Sequence, residues 1–304
     1  MRFSTPIGPV LVIGEVLFDV FPDQRRLGGA PFNVAWHLHQ MRVPVLFVSR
    51  VGDDDAGREI LDFARSAGFP TEGIQIDRDH PTGEVRVQLD ENGGHRFEIL
   101  PDRAYDYLEM TPWLQAQARR RVPLVYFGTL IQRHEVSAAL VQEAVRLFQK
   151  ESTLMVDLNL RPPFYNREVV ARTLDAADLL KLNDEELIEV KKLLGWSGKG
   201  REIIQRVLLE FHLGNICLTM GPEGSLWFAA GKPEPWRQAD LVLDDFVDSV
   251  GAGDAFAAVM ALGFLANWPR QTILDQASAF AGRICTIPGA LPSDPSFYDD
   301  LRLE

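Results

Sequence analysis

The hydrophobic residues of this chain are arranged in two repeating patterns. Short, continuous apolar runs, such as Val10–Ile13 and Val45–Val51, are typical of strands that are buried on both faces. Further runs of this kind lie at Leu124–Gly128, Leu154–Leu158, Leu179–Leu182, Ile216–Met220 and Leu226–Ala229. Stretches with helical spacing lie at Asn33–Met41, Glu135–Lys150, Arg167–Ala177, Asp184–Leu194 and Lys199–Phe211. This alternation predicts an α/β fold in which helices cover both faces of a parallel sheet.

One segment, residues 82–100, departs from that alternation. Val85 and Val87 alternate with charged residues there, and an Asn-Gly-Gly turn follows at 92–94. This pattern predicts a two-stranded antiparallel hairpin with one face exposed to water. We expect the hairpin to pair with a strand predicted at Glu15–Phe21 and to form a small flap beside the main sheet.

Polar residues and glycines gather where the predicted strands end. They are Gly14, Gly128, Asp157, Asn159, Arg161, Asn183, Thr219 and Gly221. Ligands of open parallel sheets bind at the carboxyl ends of the strands. The clustering therefore predicts a binding site along one edge of the sheet.

The stretch Asp248–Asp254 has the features of an anion-binding turn. Gly251, Ala252 and Gly253 can present backbone N–H groups at close range, and the apolar run Ala255–Ala266 predicts a buried helix. Helix N-termini favour negative charge, and a carboxylate in the first turn is placed to take a proton. A glycine turn with an aspartate helix cap is the plainer interpretation, and the stretch alone does not separate the two.

A second group of candidate binding residues lies near the N-terminus. Its members are Asp19, Gly28, Gly29 and Asn33. They place two polar side chains beside backbone that has no side-chain cover, which suits a ligand rich in hydroxyl groups. Ordinary turn chemistry at the entry to a helix is the alternative.

Charge and composition limit the partners and the location. The 304 residues carry 43 acidic and 31 basic side chains, a formal net charge of −12, which argues against a nucleic-acid partner. No apolar run has the length of a membrane span and no secretory leader is evident, so a cytoplasmic protein is expected. Cys217 and Cys285 are expected to be buried free thiols. His37 and His39 are expected to be surface or partly buried residues, and the acids at 53–55 to cap a helix.

Five segments together resemble the ribokinase-like (PfkB) sugar kinases, the family of bacterial ribokinase and fructokinase. They are Gly28–Asn33, Val51–Gly57, Lys181–Glu186, Thr219–Gly224 and Asp248–Phe256, in the family's order and spacing. The resemblance implies a ribokinase-like parallel-sheet sandwich in a single domain over residues 1–304. It also implies a small β-strand lid from about 15–30 and 82–100. In many relatives the lid forms a dimer contact, so a homodimer through the lid is an expectation.

The resemblance implies ATP-dependent phosphorylation of a sugar hydroxyl and a role for each motif. Asp254 would be the base, and the N–H groups of Gly251, Ala252 and Gly253 would stabilise the transferring phosphoryl group. The sugar would be held by Asp19, Gly28, Gly29, Asn33 and Arg161. The nucleotide would be bordered by Asn183, Thr219, Gly221 and Gly224, and Mg²⁺ organised through water by Glu186 with Asn183.

The same resemblance implies a K⁺ site beside the glycine turn. In several relatives the ion is bound largely by backbone oxygens, and Asp248 and Val250, with the turn at 287–289, are the matching positions. The alternative is that Asp248 only braces the loop through hydrogen bonds.

Several residues are similar to the fructokinase branch of the family. They are Gly14–Asp19, the Gly-Gly-Ala-Pro form at 28–31, and Asp157–Arg161. Fructose is therefore the expected substrate, with 2-keto-3-deoxygluconate, ribose and a nucleoside as alternatives. Phe32 replaces a small residue of the family and either narrows the sugar pocket or packs in the core, and Tyr105-Asp106-Tyr107 has no assigned role.

Other classes of protein fit the sequence less well. A catalytically silent sugar- or nucleotide-binding protein of this fold would most simply lack the base or the glycine turn, and both are present here. A nicotinamide dehydrogenase needs Gly-x-Gly-x-x-Gly after the first strand, which Gly14-Glu15-Val16 does not supply. A Walker-type kinase needs a Gly-Lys-Ser/Thr ending, which the sequence lacks.

Overall fold

The computed structural model describes residues 8–89, 95–239 and 245–303. The described strands, in chain order, are β1 (Val10–Ile13), β2 (Leu17–Val20), β3 (Arg25–Gly28), β4 (Val45–Gly52), β5 (Ile74–Asp77), β6 (Gly83–Leu89), β7 (His95–Ile99), β8 (Leu124–Phe127), β9 (Thr153–Asp157), β10 (Leu179–Asn183), β11 (Asn215–Thr219), β12 (Ser225–Ala229) and β13 (Trp236–Gln238). The described α-helices are α1 (Ala30–Gln40), α2 (Asp55–Ser66), α3 (Pro112–Gln117), α4 (Glu135–Phe148), α5 (Arg167–Asp175), α6 (Asp184–Leu194), α7 (Arg201–Glu210), α8 (Ala252–Leu265) and α9 (Arg270–Ile284).

A large sheet forms the centre of the molecule. Its strand order is β13-β12-β11-β10-β9-β8-β1-β4-β5, and the strands from β11 to β5 are all parallel. The parallel sheet predicted from the apolar runs is therefore confirmed. Strand β12 is an exception, because it runs antiparallel to β11, as β13 does to β12. The segment between β11 and β12 is too short for a crossover helix, so it can only form a hairpin.

Two apolar cores flank the large sheet. One lies under α1, α2, α8 and α9, and the other lies on the opposite face under α3 to α7. Alternate residues of β1 belong to the two cores, as expected for a strand buried on both faces. Helix α8 is almost entirely enclosed, and its residues from Ala255 to Leu262 expose at most 4% of their surface. Phe32 is fully buried in the first core, with its ring centroid 5.6 Å from those of Phe47 and Phe69. Of the two interpretations of Phe32, core packing is therefore the one that the structure shows.

A small four-stranded sheet in the order β3-β2-β6-β7 lies beside the large one. The hairpin β6–β7 is antiparallel, and β6 pairs in parallel with β2, so that Leu17 lies opposite Gly83. This is the pairing expected from the sequence, although the turn predicted at 92–94 lies outside the described residues. The strand predicted at Glu15–Phe21 begins only at Leu17, since a break at Gly14–Val16 carries the chain from one sheet to the other.

Local hydrogen bonds explain where several helices begin. The carboxylate of Asp54 accepts the Gly57 N–H at 2.7 Å at the start of α2, which confirms the capping role predicted for this acidic turn. Helix α8 begins at Ala252, three residues earlier than predicted, because Gly251 takes a left-handed conformation with φ 78° and caps it. Helix α1 begins at Ala30 rather than Asn33, directly after Gly29 with φ 105°.

Two predictions about single side chains have clear outcomes. Cys217 and Cys285 are buried free thiols, as predicted. The prediction for His37 was wrong, because its side chain is completely buried and its Nδ1 lies 2.9 Å from the Tyr298 hydroxyl oxygen. Burial lowers the pKa of His37 to about 3, so the ring is a neutral part of the core. No helix in the described ranges is long and apolar enough to cross a membrane.

Candidate active site

The polar strand-end residues predicted from the sequence lie along one edge of the large sheet. Strands β1, β8, β9, β10 and β11 are parallel neighbours, and they end at Ile13, Phe127, Asp157, Asn183 and Thr219. The residues that follow these strands are thereby brought to a common edge. The N-termini of α1 and α8 meet, because Asn33 in α1 contacts Asp254 in α8. The start of α8 also lies beside β10, because a Cβ at Gly253 would be 3.6 Å from Lys181 Nζ.

The glycine turn before α8 is held in place from two sides. A Cβ added to Gly251 would lie 2.3 Å from the Cβ of Ala290, so a side chain has no space there. The two carboxylate oxygens of Asp248 accept the N–H groups of Val250 at 2.9 Å and Gly289 at 3.1 Å. Asp248 therefore braces the turn, which is the role that the sequence left as the alternative to K⁺ binding.

The three N–H groups of this turn are not equivalent. The N–H of Ala252 donates to the Ser249 carbonyl at 3.2 Å. In the described part of the chain, the N–H groups of Gly251 and Gly253 have no backbone acceptor. Of these three N–H groups, those of Gly251 and Gly253 thus remain open to an anion at the start of the helix, where the helix dipole also favours one.

Asp254 lies in the first turn of α8 and has an unusual environment for a carboxylate. Its Oδ2 accepts a hydrogen bond from Asn33 Nδ2 at 2.8 Å. Burial raises the pKa of Asp254 to about 6, although the Asn33 bond and the charges of Lys181 and Arg161 act in the opposite direction. A carboxylate with a pKa close to the working pH can accept a proton and release it again, as a general base must.

The residues predicted to hold a sugar lie on β2, β3 and the start of α1. A Cβ added to Gly28 would lie 3.0 Å from Asp19 Oδ2, so the missing side chain lets that carboxylate approach the backbone. Burial raises the pKa of Asp19 to about 6, opposed by the charges of Arg161 and Arg26. Arg161 itself is exposed, yet its charge acts on the carboxylates of Glu15, Asp19 and Asp254. Arg161 is therefore near enough to all three carboxylates to interact with their charges.

Asn183 and Glu186 form a capping box at the start of α6. Asn183 Oδ1 accepts the Glu186 N–H at 2.7 Å, and Glu186 Oε2 accepts the Asn183 N–H at 2.8 Å. The second oxygen of Glu186 accepts the N–H of Leu160 at 2.8 Å. Each carboxylate oxygen has a further lone pair, so this pair can still bind ordered water. Mg²⁺ usually keeps several of its waters, and the box therefore fits outer-sphere contact with the ion.

The turn between β11 and β12 carries the residues predicted to border a nucleotide. Thr219 Oγ1 lies 3.5 Å from the Leu182 carbonyl oxygen. A Cβ at Gly221 would meet nothing within 4 Å, whereas one at Gly224 would lie 2.2 Å from the Gln238 carbonyl oxygen. Gly221 therefore faces open space, and Gly224 is required for packing against the sheet edge.

A buried ion pair that the sequence did not reveal lies below the glycine turn. Lys181 Nζ is 2.8 Å from Asp157 Oδ2, and both side chains expose less than a tenth of their surface. The position of a Cβ at Gly253 is 3.6 Å from Lys181 Nζ, so this ammonium group lies directly beside the turn. Burial acts to lower the pKa of Lys181, but the charges of Asp157, Glu186 and Asp254 outweigh it and the pKa is raised. In the sequence, the signal for this buried ion pair was a lysine within an otherwise apolar strand.

Glu15 is a second buried group that the sequence analysis did not single out. It lies in the break between β1 and β2 and exposes only 4% of its surface. Burial raises the pKa of Glu15 to about 7, with Arg161 and Arg133 acting to lower it and Asp254 to raise it. Its signals in the sequence were a charged residue one glycine beyond an apolar strand and its place in the fructokinase-like segment Gly14–Asp19.

Comparison with known proteins identifies the family. The sequence model of the pfkB family of carbohydrate kinases matches residues 11–296. A probable fructokinase-3 of Arabidopsis thaliana is 25% identical to this chain, and the match covers 97% of this chain and 90% of that protein. A ribokinase of the same plant is also 25% identical, and the match covers 97% of this chain and 80% of that protein. The structure of a fructokinase from Vibrio cholerae O395 with fructose, ADP and calcium bound superposes with a TM-score of 0.79 at 22% identity, over 97% of this chain and 99% of that one. With nearly its whole length matched, this chain belongs to the pfkB family of carbohydrate kinases.

Proposed function

We propose that this chain transfers the γ-phosphoryl group of ATP to a hydroxyl group of a sugar, with fructose as the first candidate. The observation that carries the proposal is the position of Asp254. Its carboxylate is oriented by Asn33 at 2.8 Å and lies in the same helical turn as the open N–H groups of Gly251 and Gly253. A base and an anion site side by side are what phosphoryl transfer to an alcohol requires.

In this mechanism Asp254 accepts the proton of the attacking sugar hydroxyl. Its raised pKa, about 6, keeps it mostly ionised at neutral pH and still basic enough for the transfer. A base of this kind contributes roughly 10²–10⁴-fold to the rate. The N–H groups of Gly251 and Gly253 donate to the phosphoryl oxygens, and one such donor contributes about 3–4 kcal/mol in comparable sites.

The other residues position the two substrates. Asp19 and Asn33 hold sugar hydroxyl groups against the uncovered backbone of Gly28 and Gly29, and Arg161 lies across from them. Thr219 and Gly221 border the nucleotide, and Gly224 shapes their turn. Asn183 and Glu186 would hold water molecules of a bound Mg²⁺, and the ion would screen the phosphate charges. The positive charge of Lys181, which lies beside the glycine turn, would help to stabilise the negative charge of the phosphoryl group.

The small sheet is proposed to act as the lid of the sugar site. Strands β2 and β3 carry Asp19 and Gly28, so a movement of this sheet would open or close the pocket. Closure would exclude water, which otherwise competes with the sugar for the phosphoryl group. The outer face of the same sheet is proposed to form a homodimer, which measurement of the molar mass in solution would test.

A K⁺ site beside the glycine turn before α8 is also part of the proposal. Asp248 is occupied by hydrogen bonds to Val250 and Gly289, so the ion would be held by backbone carbonyl groups of these two segments. Equal rates in sodium and potassium buffers would contradict this.

The choice of fructose rests on the fructokinase-like motifs and on the fructokinases among the relatives. The second candidate is ribose, which is favoured by a ribokinase of equal similarity. A coupled ADP-release assay over fructose, ribose, 2-keto-3-deoxygluconate and a nucleoside would decide between them. If no sugar stimulates ADP release, the result would instead favour a catalytically silent sugar- or nucleotide-binding protein.

A further inference from the structure

Behind the proposed sugar site lies a buried cluster of polar side chains, formed by Glu15, Tyr105, Asp106 and Arg133. Tyr105 and Asp106 belong to a 3-10 helical turn, Ala104–Tyr107, and Arg133 follows a second turn, Leu130–Gln132. Glu15 lies in the break between β1 and β2. Each of these four side chains exposes 5% of its surface or less.

Part of this cluster is rigid and fully paired. Arg133 donates from Nε to Asp106 Oδ1 and from Nη2 to Asp106 Oδ2, both at 2.7 Å, and Nη2 also donates to the Leu100 carbonyl oxygen at 2.8 Å. The backbone carbonyl of Tyr105 accepts from Ser137 Oγ at 2.7 Å. The guanidinium carbon of Arg133 lies 4.8 Å from the centre of the Tyr105 ring. The positions of Tyr105 and Arg133 are therefore set by the protein alone.

Two donors in this rigid frame lack an acceptor. Among the described residues, the Tyr105 hydroxyl and Arg133 Nη1 are buried and have no hydrogen-bond partner. Native proteins pair nearly all such groups, because an unmade buried hydrogen bond is destabilising. Asn33 Oδ1, on the side of Asp254, is unpaired in the same way. These unpaired buried groups, in the cluster and beside Asp254, point to a ligand with several hydroxyl groups that completes them.

Glu15 connects the cluster to the reacting end of the site. A Cβ at Gly83 would lie 2.8 Å from both Tyr105 Cε1 and the Val16 carbonyl oxygen, so the Tyr105 ring lies beside the chain break that carries Glu15. The charges of Arg133 and Arg161 lower the pKa of Glu15, and the charge of Asp254 raises it. A Cβ at Gly29 would lie 2.6 Å from the Glu15 carbonyl oxygen, so the Glu15 backbone also lies against the glycine turn proposed to hold the sugar. In the described part of the chain Glu15 makes no ion pair within 4 Å.

We propose that Glu15 is a specificity-determining residue of the sugar pocket. It accepts hydrogen bonds from hydroxyl groups of the sugar, and the Tyr105 hydroxyl and Arg133 Nη1 donate to the same end of the ligand. This inference rests on the proposed sugar kinase activity and defines its substrate class as a neutral sugar.

The charges around the pocket favour a neutral sugar over a sugar acid. Glu15, Asp19 and Asp254 surround it, and Arg161 is the cation that acts on all three. Arg133 is neutralised by its paired contact with Asp106. A carboxylate on the ligand would face three carboxylates, and the cations that act on them from this side are Arg161 and Arg26, so negative charge remains in excess. A hydroxyl group, in contrast, can donate to Glu15 and accept from Tyr105.

The test compares three single substitutions with the wild type at pH 8, where Glu15 is ionised. Glu15→Gln and Tyr105→Phe each remove one interaction and keep the shape of the side chain. Tyr107→Phe is the matched control, since Tyr107 lies in the same turn and its hydroxyl is directed to Asp102 at 3.4 Å. The assay measures ADP release with D-fructose, D-ribose and 2-keto-3-deoxygluconate, with KM for ATP and the melting temperature as controls for folding.

We expect the wild type to prefer a neutral sugar to 2-keto-3-deoxygluconate. Glu15→Gln should raise KM for the preferred neutral sugar by about 10- to 100-fold, the range for a lost hydrogen bond to a charged group. It should also reduce the ratio of kcat/KM for the neutral sugar to kcat/KM for 2-keto-3-deoxygluconate. Tyr105→Phe should raise the same KM by about 3- to 10-fold and leave the melting temperature unchanged or higher, because its hydroxyl has no partner in the protein. KM for ATP should change less than twofold in both variants, and Tyr107→Phe should match the wild type.

A wild-type preference for 2-keto-3-deoxygluconate would overturn the inference, as would sugar KM values within twofold of wild type in both Glu15→Gln and Tyr105→Phe. Neither result would contradict the proposed transfer of a phosphoryl group from ATP to a sugar hydroxyl. Absence of sugar-stimulated ADP release from the wild type would contradict the proposed function itself.

Discussion

Asn33 Nδ2 donates a hydrogen bond to Asp254 Oδ2 over 2.8 Å and joins the first and the eighth helix across 221 positions of sequence. The contact links the region proposed to bind the sugar with the residue proposed to activate it. Because the hydrogen bond stabilises the ionised carboxylate, it lowers the pKa of Asp254 against the effect of burial. The same amide therefore orients the base and sets its basicity.

Replacing the proposed base should separate catalysis from folding. We expect Asp254→Asn to lower kcat by roughly 10²–10⁴-fold, because the proton acceptor is lost while the size of the side chain is kept. Binding of ATP and of the sugar, measured by calorimetry, should change little. A kcat within a few-fold of wild type would remove Asp254 from this role.

The same substitution should stabilise the protein at alkaline pH. The pKa of Asp254 is raised from 3.8 to about 6 in the folded state, so above pH 6 the charge is present in both states and destabilises the folded one. The full shift corresponds to about 3 kcal/mol, and partial exposure of the side chain reduces this to about 1–2 kcal/mol. Denaturation at pH 8 should show this gain for Asp254→Asn, and it should disappear as the pH falls from 6 to 4.

The buried ion pair below the glycine turn should control the pH profile. The positive charge of Lys181 lowers the pKa of Asp254, and the negative charge of Asp157 raises it. The acid limb of kcat/KM should therefore move to higher pH in Lys181→Met and to lower pH in Asp157→Asn. Shifts in the same direction for both variants would contradict an electrostatic effect on the base.

The same pair should show strong coupling in stability measurements. Lys181→Met leaves the Asp157 carboxylate buried without its cation, which should destabilise the fold by about 3–5 kcal/mol. Replacing both partners, as in Lys181→Met with Asp157→Leu, removes both buried charges and should recover most of that loss. Additive effects of the two substitutions in urea denaturation would be inconsistent with this.

Two glycines of the turn provide a matched comparison. Gly251 has φ 78°, and a Cβ there would lie 2.3 Å from the Ala290 Cβ, so Gly251→Ala should destabilise the protein by about 1–3 kcal/mol. Gly253 is helical, and a Cβ there would meet only Lys181 Nζ at 3.6 Å. Gly253→Ala should therefore keep the melting temperature of the wild type or raise it. Equal destabilisation by both would show that the conformation of Gly251 is not the constraint.

The sequence by itself determined the class of fold, the edge of the sheet that carries the site, and the segments that carry its chemistry. Apolar runs and helical spacing are local properties, so the parallel sheet and most of its helices could be read directly. The glycine turn with Asp254 was readable for the same reason, because a backbone donor turn and a first-turn carboxylate are neighbours in the chain.

Only the tertiary structure decided which side chains face each other. Lys181 meets Asp157 because β10 lies beside β9, and Asn33 meets Asp254 because α1 packs beside α8. The burial of Glu15 depends on the break that carries the chain between two sheets, and the burial of His37 depends on Tyr298, which lies 261 positions away. Such contacts follow from the order in which strands and helices pack, and no local pattern of residues encodes that order.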